Sequence, residues 1–328
     1  MHDAIEAAVP GRANGLFLYA KLVMDALLRE GIDVRTALLE IPQNLDHMYA
    51  KLLQDHRARS EVSLRLQELI MRWATHAIRP LRLIELSDML TNDPAFDLPA
   101  LGAAKRSIRS ASGNLIELLR DETLCVIHHS FTEYLIGDMR LDTDAFPKLE
   151  PGSTHQRLAL ICVEYLRNGC LEDIKLEAPS RPGRGISRQA PSKQLLRPFT
   201  RYAALNWNIH VKRSVEHCIP QTEVNNLLDR FTGHTHFQNW AQLVSLRRGL
   251  ALSITPVFMA IVLGLSAYLR HLLHQPDIDL NEGAPIAWAA DRGYADAVDL
   301  LIAHGADVNQ YDTEGFTALH RATMKNHI

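Results

Sequence analysis

The chain has 328 residues, 47% of them apolar, ample for packed cores in two or three domains. Its 35 basic and 38 acidic side chains nearly cancel, so net charge implies no polyelectrolyte partner. The four cysteines (Cys125, Cys162, Cys170 and Cys218) are scattered without a C-x-x-C pair, which argues against a disulfide framework or a zinc site and fits reduced thiols in a cytoplasmic protein.

The first residues, MHDAIEAAVPGRANG, lack a basic region followed by an apolar stretch and do not read as a secretory signal. Apolar residues then recur at helical spacing over 16–28, with Gly31 as the stop. In 44–56, Leu45, Met48, Tyr49, Leu52 and Leu53 share one helical face. A longer helix is expected over 62–76, and Arg79-Pro80 opens a shorter one over 83–90. Near residue 115 the pattern changes. Two apolar runs, 114–119 and 123–127, flank the polar Arg120-Asp121-Glu122 and predict a β-hairpin. Ser130 with Glu133 three residues later reads as a capping box opening a helix over 131–136. Helices followed by a two-stranded hairpin and another helix resemble a winged helix.

Residues 155–168 predict an amphipathic helix that buries Leu158, Ile161, Cys162, Tyr165 and Leu166. By composition, 178–193 is a linker or long surface loop. A helix over 195–211 follows, with Tyr202, Leu205 and Trp207 as core candidates.

The last part of the chain repeats itself. Segments beginning at Thr255, Ala284 and Thr317 place Pro256, Pro285 and Ala318 in equivalent positions, and likewise Ala260, Ala289 and Ala322. A helix–loop–helix unit of about 33 residues with T-P-L-H-x-A near its start is the ankyrin signature. It is written TALHRA at 317–322 and TPVFMA at 255–260, with AHGADVN at 303–309 closing the middle unit. Thr255 can cap, and proline is tolerated in the first helical turn because its missing N–H has no intrahelical partner there. Val298, Leu301 and Ile302 form an apolar stripe that needs a neighbour to cover it, and Gly305 stands where a left-handed residue ends the helix. The uncharged stretch 249–269 is long enough to span a bilayer, but the register of Pro256 and Gly264 with the next unit favours two short helices broken at Gly264.

With hairpin and repeats in place, the chain resembles the C-terminal part of fungal NACHT–ankyrin proteins, signalling NTPases of the STAND class related to NOD-like receptors. The carrying segments are ANGLFLYAKLVMDAL (13–27), RPLRLIELSDML (79–90), IHHSFTEYL (127–135) and RPFTRYAALNW (197–207). In that family a winged-helix histidine in a pattern like H-x-[ST]-x-x-[EQ]-[FY] reaches the phosphates of bound ADP. The resemblance puts His128 in that role, with Ser130, Glu133 and Tyr134 completing the pattern. Histidine suits the task because its ring N–H can donate to a phosphate oxygen. The chain departs from the family in having no G-x-x-x-x-G-K-[ST] loop. The nucleotide-binding domain is therefore expected upstream of Met1, and the chain, which stops inside a repeat, is expected to be a truncated paralogue or a piece of a longer protein.

Bland readings cover the remaining polar residues. On a strand, His128 and His129 would point to opposite faces and could not share a metal. His271 and His274 lack a third ligand, and GHTH at 233–236 is equally thin. Asp88, Asp93 and Asp97 read as caps and solvated side chains. No H-E-x-x-H, G-x-S-x-G or cysteine–histidine pattern marks an enzyme. Lys105, Arg106, Arg109 and Arg120 could form a basic patch, but Glu117, Asp121 and Glu122 crowd it, so nucleic acid is not an expected partner.

The expected fold is mainly α: a helical segment (1–58), a winged-helix-like domain (59–148), a helical linker domain (149–250) and an ankyrin-repeat α-solenoid (251–328) with its third unit incomplete. The expected function is that of a non-enzymatic scaffold, without cofactor or metal, that binds a protein through the repeats. Gln310, Tyr311, Thr313 and Glu314 sit near one hairpin tip. An NTPase domain in cis or in trans is the second partner, implied by the resemblance alone.

Overall fold

A computed structural model describes residues 17–27, 41–42, 44–60, 62–96, 98, 100–137, 146–172, 197–248, 254–276 and 278–327. The fold is mainly α: the described residues form fifteen α-helices and one two-stranded sheet. They divide into two compact units, one within 1–83 and 102–150, the other within 84–101 and 151–328. The sequence features placed at Gly31, Asp97 and 178–193 lie outside the described residues.

The first unit begins with α1 (Phe17–Leu27), α2 (Leu45–Ser60) and α3 (Leu64–His76). Ser63 caps α3 by accepting from the Leu66 amide at 3.3 Å, and Leu66, Leu69, Ile70 and Trp73 bury the i, i+3, i+4, i+7 face below it. Helix α4 (Leu83–Thr91) follows and, past its first residue, belongs to the second unit. Helix α5 (Leu101–Ser112) is absent from the sequence reading, because its buried side is mostly small: Ala104, Ile108, Ala111 and Ser112.

The hairpin forms as β1 (Ile116–Leu118) and β2 (Leu124–Val126), in antiparallel register Ile116↔Val126 and Leu118↔Leu124. Both strands are shorter than expected, since 113–115 form a 3-10 turn and Leu119 closes the loop by donating to the Thr123 carbonyl at 2.9 Å. Arg82 adds an antiparallel bridge to Thr123. Helix α6 (His129–Ile136) starts earlier than expected, and the predicted Ser130–Glu133 capping box does not cap it. His128 is the N-cap: its ring accepts from the Ser130 amide, which leaves Ser130 inside the first turn. Tyr49 of α2 packs against Phe131 and Tyr134 of α6, with centroids 5.0 and 5.5 Å away.

The second unit is built on α7 (Pro151–Arg167) and α8 (Thr200–Glu216). They run antiparallel, since His155 meets His210 near one end and Tyr165 meets Thr200 near the other. Residues 158–163 of α7 are all buried because α8, α9 (Thr222–Thr232) and α10 (Thr235–Arg248) surround it. Leu158, Ile161, Cys162, Tyr165 and Leu166 are in the core as expected, as are Tyr202 and Trp207, whereas Leu205 is half-buried. Helices α9 and α10 were not anticipated, although Val224, Leu227, Leu228 and Phe231, and then Phe237, Trp240, Ala241 and Val244, keep helical spacing and are buried.

Five further helices complete this unit: α11 (Pro256–Leu263), α12 (Ser266–Leu273), α13 (Pro285–Asp291), α14 (Ala295–Ala303) and α15 (Ala318–Lys325). Helices α11, α13 and α15 pack side by side in one layer, and α12 and α14 pack behind them. Ala260 and Ala289, 1% and 0% exposed, sit where the inner layer closes. Thr255 accepts from the Phe258 amide and Pro256 opens α11, as the capping argument requires. At its far end Gly264, at φ +64°, turns the chain; a Cβ there would lie 3.0 Å from Lys212 Nζ. From Pro256 on, the apolar stretch is therefore part of a helical hairpin, and among the described residues no helix is long and apolar enough to cross a membrane.

The middle unit departs from its neighbours. Where units one and three have a threonine cap, it has Ala284 at φ +49° with no side-chain bond to the helix. A Cβ in that region is strained, so Ala284→Gly is expected to stabilise the fold by roughly 0.5–1 kcal/mol in chemical unfolding. The stripe on α14 is only partly covered: Leu301 is fully buried, Val298 half-buried and Ile302 47% exposed. Leu319 and Met324 of α15 are 76% and 61% exposed. Few buried contacts hold α15, so its amides are expected to exchange faster than those of α14. Protection at Lys325 equal to that at Leu300 would contradict this.

Candidate functional site

The loops that join successive helix pairs are built from short local polar motifs. Asp279 Oδ1 accepts from the amides of Asn281 and Glu282 at 2.8 and 3.2 Å, and Asp307 Oδ1 accepts from Asn309 at 2.9 Å. The two loops are then tied together. The Asp307 amide donates to Asn281 Oδ1 at 2.9 Å, and the Gln310 side-chain amide donates to the Asn281 carbonyl. Gln310 is thereby committed to holding the loops in register. Tyr311, 67% exposed, and the exposed Thr313 and Glu314 project from the same turn.

Below that turn lies a cluster that the sequence reading missed. Asp312 is buried and accepts from the amides of Glu314 and Phe316 at 2.9 and 3.0 Å. Arg321 of α15 donates to its other oxygen at 2.7 Å, reaches Glu314 at 3.0 Å, and lies 3.8 Å from Asp291. The guanidinium sits over Phe316 and Trp288, 5.0 and 5.8 Å from their centroids, and Trp288 meets Phe258 edge-on at 5.4 Å. One arginine thus joins α15, the turn and α13.

Burial alone would raise the Asp312 carboxyl, but the Phe316 amide and Arg321 outweigh it and hold it below the ordinary carboxylate value. A lowered carboxylate stabilises the fold above the unfolded value, about pH 4, and that contribution is lost as pH falls through the folded pKa. In carboxyl 13C titration, Asp312 is expected below its unfolded value in the native chain and higher in Arg321→Gln. An unchanged titration would contradict this coupling.

His128 lies in the first unit. Its Nδ1 is 3.2 Å from the Ser130 amide and 2.8 Å from Ser130 Oγ, which is in turn 2.8 Å from Tyr49 Oη. The backbone amide can only donate, so Nδ1 accepts, and the neutral ring carries its proton on Nε2. The expectation that His128 and His129 diverge is corrected: their ring centroids are 3.9 Å apart, because His129 is already helical. The acidic crowding expected around the hairpin is seen at Glu122, which pairs with both Lys105 and Arg109, at 2.8 and 2.9 Å.

The histidines of the two short motifs have structural partners. His271 is half-buried and bonds Asp229 at 2.6 Å, an aspartate that also accepts from Tyr268 at 3.0 Å and so joins α9 to α12. In GHTH, His236 packs on His234 and lies 3.5 Å from Glu172. Among the described residues no group of three or more histidine, cysteine or acidic side chains could hold a metal. All four cysteines are free; burial pushes the thiol of Cys170 up to about 12 and that of Cys162 higher still, which suits packing rather than nucleophilic attack. Asp88, expected to be solvated, is buried: Tyr165 donates to it, as does the Phe199 amide at 3.1 Å, and Arg197 lies 3.4 Å away.

Comparison with known proteins agrees with the layered helix pairs. Residues 255–328 match the family model for ankyrin repeats, in three copies. The C-terminal part of the chain is therefore an ankyrin-repeat array, a module of protein–protein interaction rather than of catalysis. A curated relative, palmitoyltransferase AKR1 of Lachancea kluyveri, is 36% identical over 66 residues. That alignment takes in 18% of this chain and only 9% of the length of the yeast protein. No solved structure gives a significant match.

Proposed function

We propose that this protein is a non-enzymatic scaffold whose ankyrin repeats bind a protein partner at the loop face carrying Tyr311, Thr313 and Glu314. The observation that carries this reading is a rigid turn that presents Tyr311 and Thr313 outward, with Glu314 exposed beside them while it pairs with Arg321. Gln310, Asp312 and Arg321 hold the turn, while Tyr311 is 67% exposed on it. A large aromatic side chain held outward on an ordered backbone loses little entropy on binding. Gln310 belongs to the same surface as its support. The two loops, 274–284 and 304–317, contain no lysine or arginine, while Asp279, Glu282, Asp307 and Glu314 are exposed there. Charge complementarity therefore favours a basic segment on the partner. The test is affinity enrichment with the native chain and with a Tyr311→Ala, Thr313→Ala, Glu314→Ala variant whose folding is checked by circular dichroism. Loss of a salt-sensitive set of proteins in the variant supports the reading. An unchanged set contradicts it.

A second reading rests on His128. With Nδ1 accepting from Ser130, the half-buried ring offers Nε2–H as a donor, the group a phosphate oxygen needs. This supports a regulatory role beside a NACHT-type NTPase domain in cis or in trans, in a winged-helix-like setting of α3, α5, the hairpin and α6. Alone, the chain is expected to show no ADP binding in calorimetry; micromolar binding lost in His128→Ala would overturn that. The coding sequence upstream of Met1 is the discriminating observation, and a Walker-type glycine loop there would favour this second reading.

A further inference from the structure

Between α7 and α8 the second unit buries two histidines in direct contact. His155 and His210 are 5% and 0% exposed, and their Nδ1 atoms are 2.9 Å apart. On the other side of His210, Nε2 lies 2.9 Å from Tyr202 Oη. A hydrogen bond between two imidazole nitrogens uses one proton, because one ring must donate and the other accept through a lone pair. If His210 Nδ1–H donates to His155, then His210 Nε2 accepts from Tyr202. If His155 donates instead, His210 Nε2–H donates to the Tyr202 oxygen. Both arrangements tolerate neutral rings, and the second tolerates one charge on His155. Neither tolerates two. A proton on each Nδ1 would put two hydrogens on one 2.9 Å axis and two like charges in a buried site.

We propose that His155 and His210 form a proton-operated latch between α7 and α8, closed near neutral pH and released when acid protonates both rings. Tyr202 is an ionisable group that bonds the pair directly, at His210. Other ionisable groups of these elements have partners or positions of their own. Asp88 of α4 meets Tyr165 and Phe199, ten residues and so about 15 Å along α7 from His155. Arg157 and Glu164 of α7 line a shallow cavity with Glu223 and Arg230 of α9. Asp229 serves Tyr268 and His271, and His236 of α10 stands beside Glu172. His217 lies past the end of α8, its Cβ against Gly152.

The sign follows from linkage. In the unfolded chain both histidines take up protons near pH 6.5, while the folded pair resists the second proton. The unfolded state therefore binds more protons below that pH, and stability falls as pH falls. Helix α8 also borders the repeats. The last turns of α8, carrying Val211, Lys212 and Val215, line a cavity of about 540 Å³ with Gly264 and Leu265 of the first repeat.

Hydrogen exchange on the full chain tests the latch. Protection of α7 and α8 peptides, corrected for intrinsic rates, is compared at pH 7.5 and 5.5. The native chain is expected to lose about tenfold more protection than His155→Gln, which keeps a hydrogen-bonding group but removes one titrating ring. Equal losses in the two proteins would overturn the proposal. Should that variant fail to fold, 15N imidazole spectra of the native chain decide. A slowly exchanging shared Nδ1 proton at pH 7.5 that is lost by pH 5.5 supports the latch, and its absence at pH 7.5 or persistence to pH 5.0 overturns it.

Discussion

Replacing Asp88 by alanine is expected to destabilise the second unit by about 2–4 kcal/mol in urea unfolding, the cost of removing a buried carboxylate that two buried donors share. Asp88 accepts from the Tyr165 hydroxyl and the Phe199 amide and faces Arg197. These groups come from α7 and from the entry to α8, which are remote in sequence. The Phe199 amide lies just before α8, where helix N–H groups lack an intrahelical partner, so Asp88 satisfies an end that Phe199 itself cannot cap. Removing the carboxylate takes away the acceptor that the Tyr165 hydroxyl and the Phe199 amide share, leaves Tyr165 its longer 3.5 Å contact with Thr200, and takes the counter-charge from Arg197. Asp88→Asn keeps one acceptor oxygen and should retain roughly half of the lost stability. A loss below about 1 kcal/mol in Asp88→Ala would show that water replaces the carboxylate.

The second large effect is expected at Arg321. Arg321→Ala removes the cation from a buried Asp312, which still accepts from two backbone amides. The amides soften the cost, so about 2–3 kcal/mol is expected, felt in α15 and the 310–317 turn rather than across the unit. Exchange should accelerate there some thirty- to hundredfold, since 1.4 kcal/mol corresponds to a factor of ten. Arg321→Lys should recover only part of this, because an ammonium cannot reproduce the fork to Asp312 and Glu314 while lying over Phe316 and Trp288. Unaltered exchange in Arg321→Ala would mean that the backbone amides alone fix the turn.

Both networks also mark where the sequence ran out. Periodicity located α1 to α4, α7 and the repeats, because each presents large apolar residues at helical spacing to a core. It passed over α5, whose buried side is mostly alanine and serine. The hairpin was legible from its polar loop, yet the helix after it was given the wrong cap. Ser130 and Glu133 have the spacing of a capping box, but His128 reaches the Ser130 amide first. Local spacing carries no information on which of two adjacent polar residues turns inward. The loop-face residues were placed by repeat register alone, and register could not distinguish Gln310, held by Asn281, from Tyr311, which is free to project. Asp88 reads as a cap or solvated side chain, and nothing in the sequence singles out Asp229 or Asp312. Their partners lie 39 to 111 residues away for Asp88 and Asp229, and for Asp312 on a different element. No short motif encodes such pairings.

Site-specific photo-crosslinking addresses the central idea directly. A benzophenone side chain in place of Tyr311 is expected to capture a discrete protein in cell extract, whereas one in place of Asp299, exposed on α14, is not. Equal capture at both positions, or none at Tyr311 in a chain shown to be folded, would contradict a loop face built for recognition.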